Sequence, residues 1–186
     1  IPPDWPAAAL HARLVDGQRG LVLQLLPGLA KLSSMSFESN GVGRLQVLRR
    51  VAELLALLHA AGLVFGDLHG GNILVSPDGE SVMFVDLDTM ASEGATYEEL
   101  PTSSQARIPA SEAPWGFGEG PSAADDVFRF MRLIGRCPTG PLGRDSAWRD
   151  DLVRESPGLA ALIDPLLEPL PPASQAPSTA AIWRTM

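Results

Sequence analysis

Apolar residues recur along this chain with different periods, and each period predicts a different element. Ala12-Arg13-Leu14-Val15 and Gly20-Leu21-Val22-Leu23-Gln24-Leu25-Leu26 read as two strands joined across Asp16-Gly17-Gln18-Arg19, which carries a turn-forming Asp-Gly. Pro27-Gly28 ends the second strand. From Arg44 to Ala61, Leu48, Val51, Leu55 and Leu58 recur at helical spacing while Arg49, Arg50 and Glu53 occupy other faces, and Gly62 is a natural C-terminal stop. Leu63 to Asn72 is a loop by its glycines. It leads into a strand Ile73-Leu74-Val75, a Pro77-Asp78-Gly79 turn and a returning strand Val82-Met83-Phe84-Val85. A long loop is expected from Met90 to Gly120, rich in Ser, Glu, Pro and Gly. A helix resumes near Ala123 and runs to Ile134, and Pro138 to Asp145 breaks the pattern. Two shorter helices, near Leu159 to Leu167 and Thr179 to Arg184, flank a proline-rich connection.

This hairpin has a chemical consequence. Asn72 stands just before one strand and Asp86 just after the other, so both polar side chains emerge at the same end, beside the loop that carries Asp67. Two carboxylates and an amide converging on one point are costly without a cation. Phosphoryl transfer from ATP needs such a set: oxygen ligands for a divalent metal, and an acidic group beside the attacking hydroxyl.

Composition narrows the classes further. The 186 residues are 45% hydrophobic with mean hydropathy +0.09, which suits one soluble globular unit, and no apolar run reaches membrane-spanning length. A net charge of −8, with no arginine run longer than Arg49-Arg50, argues against nucleic acid as a partner. Cys137 is the single cysteine, so there is no internal disulfide and no zinc-type cluster; a reducing, cytoplasmic setting is expected. The chain opens on Ile1-Pro2-Pro3 and shows no secretion signal, and we read it as a piece of a longer polypeptide.

Gly66-Asp67-Leu68-His69-Gly70-Gly71-Asn72-Ile73-Leu74-Val75 resembles the catalytic loop of the protein-kinase-like superfamily, and Val85-Asp86-Leu87-Asp88 resembles its metal-binding Asp-Phe-Gly segment. Asp86-Leu87-Asp88-Thr89-Met90, with Trp5-Pro6 upstream, is similar to bacterial Ser/Thr kinase-like proteins carrying Asp-Thr-Asp-Ser-Phe there. Gly66-Asp67-Leu68-His69 is also similar to aminoglycoside and choline phosphotransferases. The resemblance implies an α+β kinase-like fold: residues 1–28 as the end of the small lobe and the hinge, and 29–186 as a reduced, mainly helical large lobe. The catalytic loop would span 63–75 and the activation-type loop 86–120. It implies Mg-ATP-dependent phosphorylation of a hydroxyl, on a protein Ser/Thr. Asp67 would orient and deprotonate that hydroxyl, His69 would contact the transferred phosphate or order the loop, and Asn72 and Asp86 would hold magnesium. Leu23 would be the gatekeeper, the Gln24 carbonyl and Leu26 amide would bond adenine, and Leu74 would floor its pocket. Asp126 would pin the catalytic loop from the helix below it.

The departures matter equally. Phe65-Gly66 replaces the usual His-Arg, so an arginine that reads activation-loop phosphate is absent. Ala113-Pro114-Trp115 stands where Ala-Pro-Glu is expected and Ala176-Pro177-Ser178 where Arg-Pro-Ser is usual, so both members of a buried ion pair are lost together. No Gly-rich loop precedes Leu21, and Lys31, the only lysine, follows the hinge. Two alternatives stay open on these grounds: a pseudokinase scaffold and a small-molecule phosphotransferase. His11 and His59 read as ordinary strand and helix positions, Asp88 as a solvated carboxylate, and Asp125 as a helix N-terminal charge.

Overall fold

The computed structural model describes residues 10–15, 18–23, 28–35, 43–96, 120–135, 147–164 and 176–186. Within them the chain is a mixed α/β structure with three small antiparallel sheets and five α-helices. Strands β1 (Leu10–Val15) and β2 (Gln18–Leu23) pair antiparallel as a two-stranded sheet. The ladder runs from Leu10 opposite Leu23 to Val15 opposite Gln18, so Gln18 and Arg19, expected in the turn, belong to the ladder.

A second sheet has the order β3-β5-β6, from β3 (Ala30–Lys31), β5 (Ile73–Val75) and β6 (Val82–Phe84). The expected hairpin is present, with Ile73 opposite Phe84 and Val75 opposite Val82. Its turn closes through Ser76: the Ser76 and Gly79 N–H groups donate to Ser81 and Ser76 carbonyls, and Gly79 takes φ +74°, which glycine adopts without a Cβ penalty. Lys31 pairs with Leu74 on the outer strand of this sheet.

Helix α1 (Arg44–Ala60) covers the hairpin. Val47, Leu48, Val51, Ala52, Leu54, Leu55 and Leu58 form its buried stripe, and each large side chain taken out of water contributes about 1.5–3 kcal/mol. Gly62, at φ +70°, ends it as expected. The chain then enters β4 (Leu63–Val64), which pairs with β7 (Ala91–Ser92) in the third sheet. The start of the segment expected to be a long loop is therefore tied down by backbone pairing, and the Glu93 N–H adds a bond to the Gly62 carbonyl. Residues 97–119 lie outside the described residues.

Helix α2 (Ala123–Gly135) brings Val127, Phe128, Phe130, Met131 and Ile134 into the same core as α1. It starts on a reciprocal cap: Asp125 accepts from the Ser122 N–H and hydroxyl, while the Asp125 N–H donates to the Ser122 hydroxyl. Asp125 is thus a capping residue and more than a dipole partner. Arg44 at the start of α1 donates to the Leu133 and Ile134 carbonyls near the end of α2, locking the two helices. Helices α3 (Ala147–Glu155), α4 (Pro157–Ile163) and α5 (Thr179–Thr185) complete the fold. The sequence pattern does not announce α3, because among its described side chains Leu152 alone is buried. Among the described residues no helix is long and apolar enough to cross a membrane.

Candidate functional site

The loop from Phe65 to Asn72 lies between β4 and β5. Beneath it, the Asp126 carboxylate on α2 is completely buried; Oδ2 accepts from the Phe65 N–H at 2.7 Å and Oδ1 from the Gly66 N–H at 2.9 Å. Two charge-assisted bonds to consecutive amides determine both the height and the direction of the chain as it enters the loop. Gly66 is at φ +81°, and a Cβ there would lie 2.8 Å from the Thr89 carbonyl oxygen, so both backbone conformation and space demand glycine. The buried Thr89 hydroxyl donates to the Phe65 carbonyl at 3.0 Å, joining this loop to the segment after Asp86. Phe65 packs on Phe84 of β6 with ring centroids 4.9 Å apart and an interplanar angle of 54°.

Above this base the polar side chains gather. The Asn72 amide nitrogen donates to the Asp67 carbonyl and to Asp67 Oδ2, both at 3.1 Å. The amide protons thus face Asp67, which leaves the amide oxygen as the acceptor of this buried side chain. His69 Nδ1 accepts from the Gly71 N–H at 3.0 Å, so a neutral ring carries its proton on Nε2, which lies 3.6 Å from Asp67 Oδ2. Asp67 is held below the usual carboxylate range. The neighbouring His69 ring is the largest cause, the charge of Arg129 and the Asn72 bond act in the same direction, and burial opposes them.

Asp86 stands at the end of the hairpin, where the Val85 N–H donates to the Asn72 carbonyl at 3.0 Å. Asp86 is exposed and has φ 59°, the one non-glycine residue with positive φ among the described residues. That conformation turns the chain out of β6 into the one-turn 3-10 helix Leu87–Thr89 and is unfavourable for a residue bearing a Cβ. Among the described residues no group of three or more His, Cys, Asp and Glu side chains gathers as a metal site. The set available near the loop is instead an amide oxygen from Asn72 and a carboxylate from Asp86. These are hard oxygen donors of the kind magnesium takes when phosphate and water complete its shell.

Of the residues singled out from sequence, Asp67, His69 and Asn72 are brought into contact, and Asp86 adjoins them through Val85. Leu74 is half-buried in the middle of β5, opposite Met83 and Lys31. Leu23 lies at the end of β2 opposite Leu10, and Gln24 and Leu26 lie outside the described residues, as does the Asp88 side chain. The expected pinning role of Asp126 matches its two bonds to the loop.

Two participants escaped the sequence reading. Arg129, one turn after Asp126, is buried, and its guanidinium lies 3.7 Å from Asp67 Oδ1. An arginine between Phe128 and Phe130, inside the run Val127 to Met131 that is otherwise apolar, was the available signal. His59 is not an ordinary helix position. Its ring joins Asp126 Oδ2 at 3.0 Å to Thr179 Oγ1 at 3.1 Å.

In comparisons with known proteins, the chain matches no protein-family model and no curated protein.

Proposed function

We propose that this chain is the hinge and large-lobe portion of a protein-kinase-like phosphotransferase that moves the γ-phosphoryl group of ATP to a hydroxyl, on a protein Ser or Thr. The observation that carries the reading is the joint Asp67–Asn72 arrangement, bonded at 3.1 Å, on a loop whose entry is clamped by Asp126. The resemblance of residues 63–75 and 85–88 to the catalytic and metal-binding segments of that superfamily supports the same roles.

In this reading Asp67 hydrogen-bonds the acceptor hydroxyl and aims its oxygen at the γ-phosphorus. A carboxylate held below its usual range is a weaker base than an ordinary one, so its contribution is orientation first. It takes the proton as the new P–O bond forms and the bond to ADP breaks. Asn72 and Asp86 would hold magnesium, which when bound would supply charge neutralisation on the phosphates. His69 is engaged by Asp67 and Gly71, an arrangement that favours ordering the loop over contacting phosphate. Leu23, Gln24, Leu26 and Leu74 would form the adenine site. A second reading, a scaffold that binds without transferring, draws support from the engagement of both Asp67 oxygens by Arg129, Asn72 and His69.

Calorimetry of Mg-dependent ATP binding, on the chain and on Asp86→Asn, tests the proposal. Binding that weakens at least about tenfold in the variant, or about 1.4 kcal/mol, supports a metal-assisted nucleotide site. Absence of binding at about 1 mM ATP, the upper end of ordinary substrate affinities, sinks the enzyme reading.

A further inference from the structure

Asp126, which holds the loop, is itself held. Its Oδ2 faces His59 Nε2 at 3.0 Å, and the other ring nitrogen, Nδ1, lies 3.1 Å from the Thr179 hydroxyl. The three side chains come from three helices, α2, α1 and α5, and all are shielded: Asp126 is fully buried, Thr179 is 2% exposed and the His59 side chain 11%.

The protons of this chain can be assigned by their partners. Asp126 already accepts two backbone N–H bonds, so it presents lone pairs to His59, and the ring must carry a proton on Nε2. Thr179 has His59 as its polar side-chain partner among the described residues, and its hydroxyl is placed to donate to Nδ1. In that arrangement Nε2 carries the ring proton toward Asp126 and Nδ1 accepts. Thr179 is the first residue of α5, whose N-terminus is secured separately by Ser178, its hydroxyl accepting from the Ala181 N–H at 3.2 Å. Ile182, one turn on, is fully buried, which seats the helix whatever the Thr179 hydroxyl does. The hydroxyl is therefore not needed to build α5, and its bond to His59 is directed toward the loop.

We propose that Thr179 is a positioning residue: its hydroxyl orients the His59 ring by donating to Nδ1 while Asp126 holds Nε2-H, and through His59 and Asp126 it couples helix α5 to the loop bearing Asp67. The effect on phosphoryl transfer rests on the phosphotransferase reading above; the Nδ1 hydrogen bond and the order of the loop do not.

The test compares the chain with Thr179→Val, which keeps the shape and loses the hydroxyl, and with Thr179→Ser, which keeps the hydroxyl. Nitrogen-15 NMR of the His59 ring is expected to show Nε2 protonated and Nδ1 accepting a hydrogen bond in the unsubstituted chain and in Thr179→Ser, and the Nδ1 hydrogen bond lost with Nε2 still protonated in Thr179→Val. Exchange of the Phe65 and Gly66 amides should quicken about five- to tenfold in Thr179→Val, the loss of one hydrogen bond, with helix α2 amides unchanged and Thr179→Ser restoring the rate. Turnover should fall about fivefold at unaltered Mg-ATP affinity. A protonated Nδ1 in the unsubstituted chain, or equal Phe65 and Gly66 exchange in all three proteins, overturns the proposal. If the unsubstituted chain transfers no phosphoryl group, the phosphotransferase reading fails while the two magnetic-resonance and exchange results still decide the link.

Discussion

The underside and the upper face of the loop from Phe65 to Asn72 use polar groups in opposite ways. Beneath it, Asp126, His59 and Thr89 are shielded from water, and each is spent on a partner of fixed position: two amides, a ring nitrogen and a carbonyl. Above it, Asp67 and His69 are 18% and 52% exposed, and Asp86 is open to solvent in a strained left-handed conformation. Interior hydrogen bonds are costly to leave unmade, so the lower set determines where the loop runs. The upper set stands where solvent reaches it. Location and chemistry are thus divided between two faces of one eight-residue segment.

The largest expected effect is on the underside. Asp126→Ala leaves two buried N–H groups without acceptors, and a loss of roughly 3–5 kcal/mol in urea unfolding is expected. An unchanged midpoint would break the contrast between the faces outright. Gly66→Ala places a Cβ 2.8 Å from the Thr89 carbonyl oxygen at φ +81°, for an expected loss of about 2–3 kcal/mol in the same measurement. A variant as stable as the parent would show that the crossing of the two segments tolerates a side chain.

On the upper face the expected signature is in pH rather than in overall stability. Asp67 has a folded-state pKa below its unfolded value, chiefly through His69, so its stabilisation is present above about pH 4 and lost as pH falls through the folded value. Stability curves of the parent and Asp67→Asn should therefore converge at low pH and separate above about pH 4. Parallel curves would sever the ionic coupling of Asp67 to His69 and Arg129. The smallest effect is expected away from the loop. Arg50, 46% exposed between Glu53 and Glu80, should cost less than about 0.5 kcal/mol on replacement by Ala, and a larger loss would mean that surface ion pairs count here.

Elements with strong periodicity could be read in advance. Helix α1 carries seven buried apolar residues, α2 has a full apolar stripe, and the Ser76 to Ser81 turn has its own side-chain bonds, so local pattern was enough. Helix α3 and strands β3, β4 and β7 could not be read. The strands are two residues long and exist through partners distant in sequence, such as Leu63 opposite Ser92. The same division holds for the candidate site. Asp67, Asn72 and Asp86 announced themselves by spacing around a hairpin. Arg129 and His59 looked like one charge in a helix and one ordinary helical histidine, because their partners lie 62 residues away and 67 or 120 residues away.

What the sequence determined alone is what short-range physics controls: helix stripes, glycine stops, the Pro-Asp-Gly turn, and the placing of Asn72 and Asp86 at one end of a hairpin. What the tertiary structure decided is which charges share a dielectric environment. Asp67 meets Arg129, and Asp126 meets His59 and two amides, through the packing of helices α1, α2 and α5. The physical reason is that periodicity specifies which face of an element is buried, whereas the partner a buried polar group finds depends on how separate elements dock.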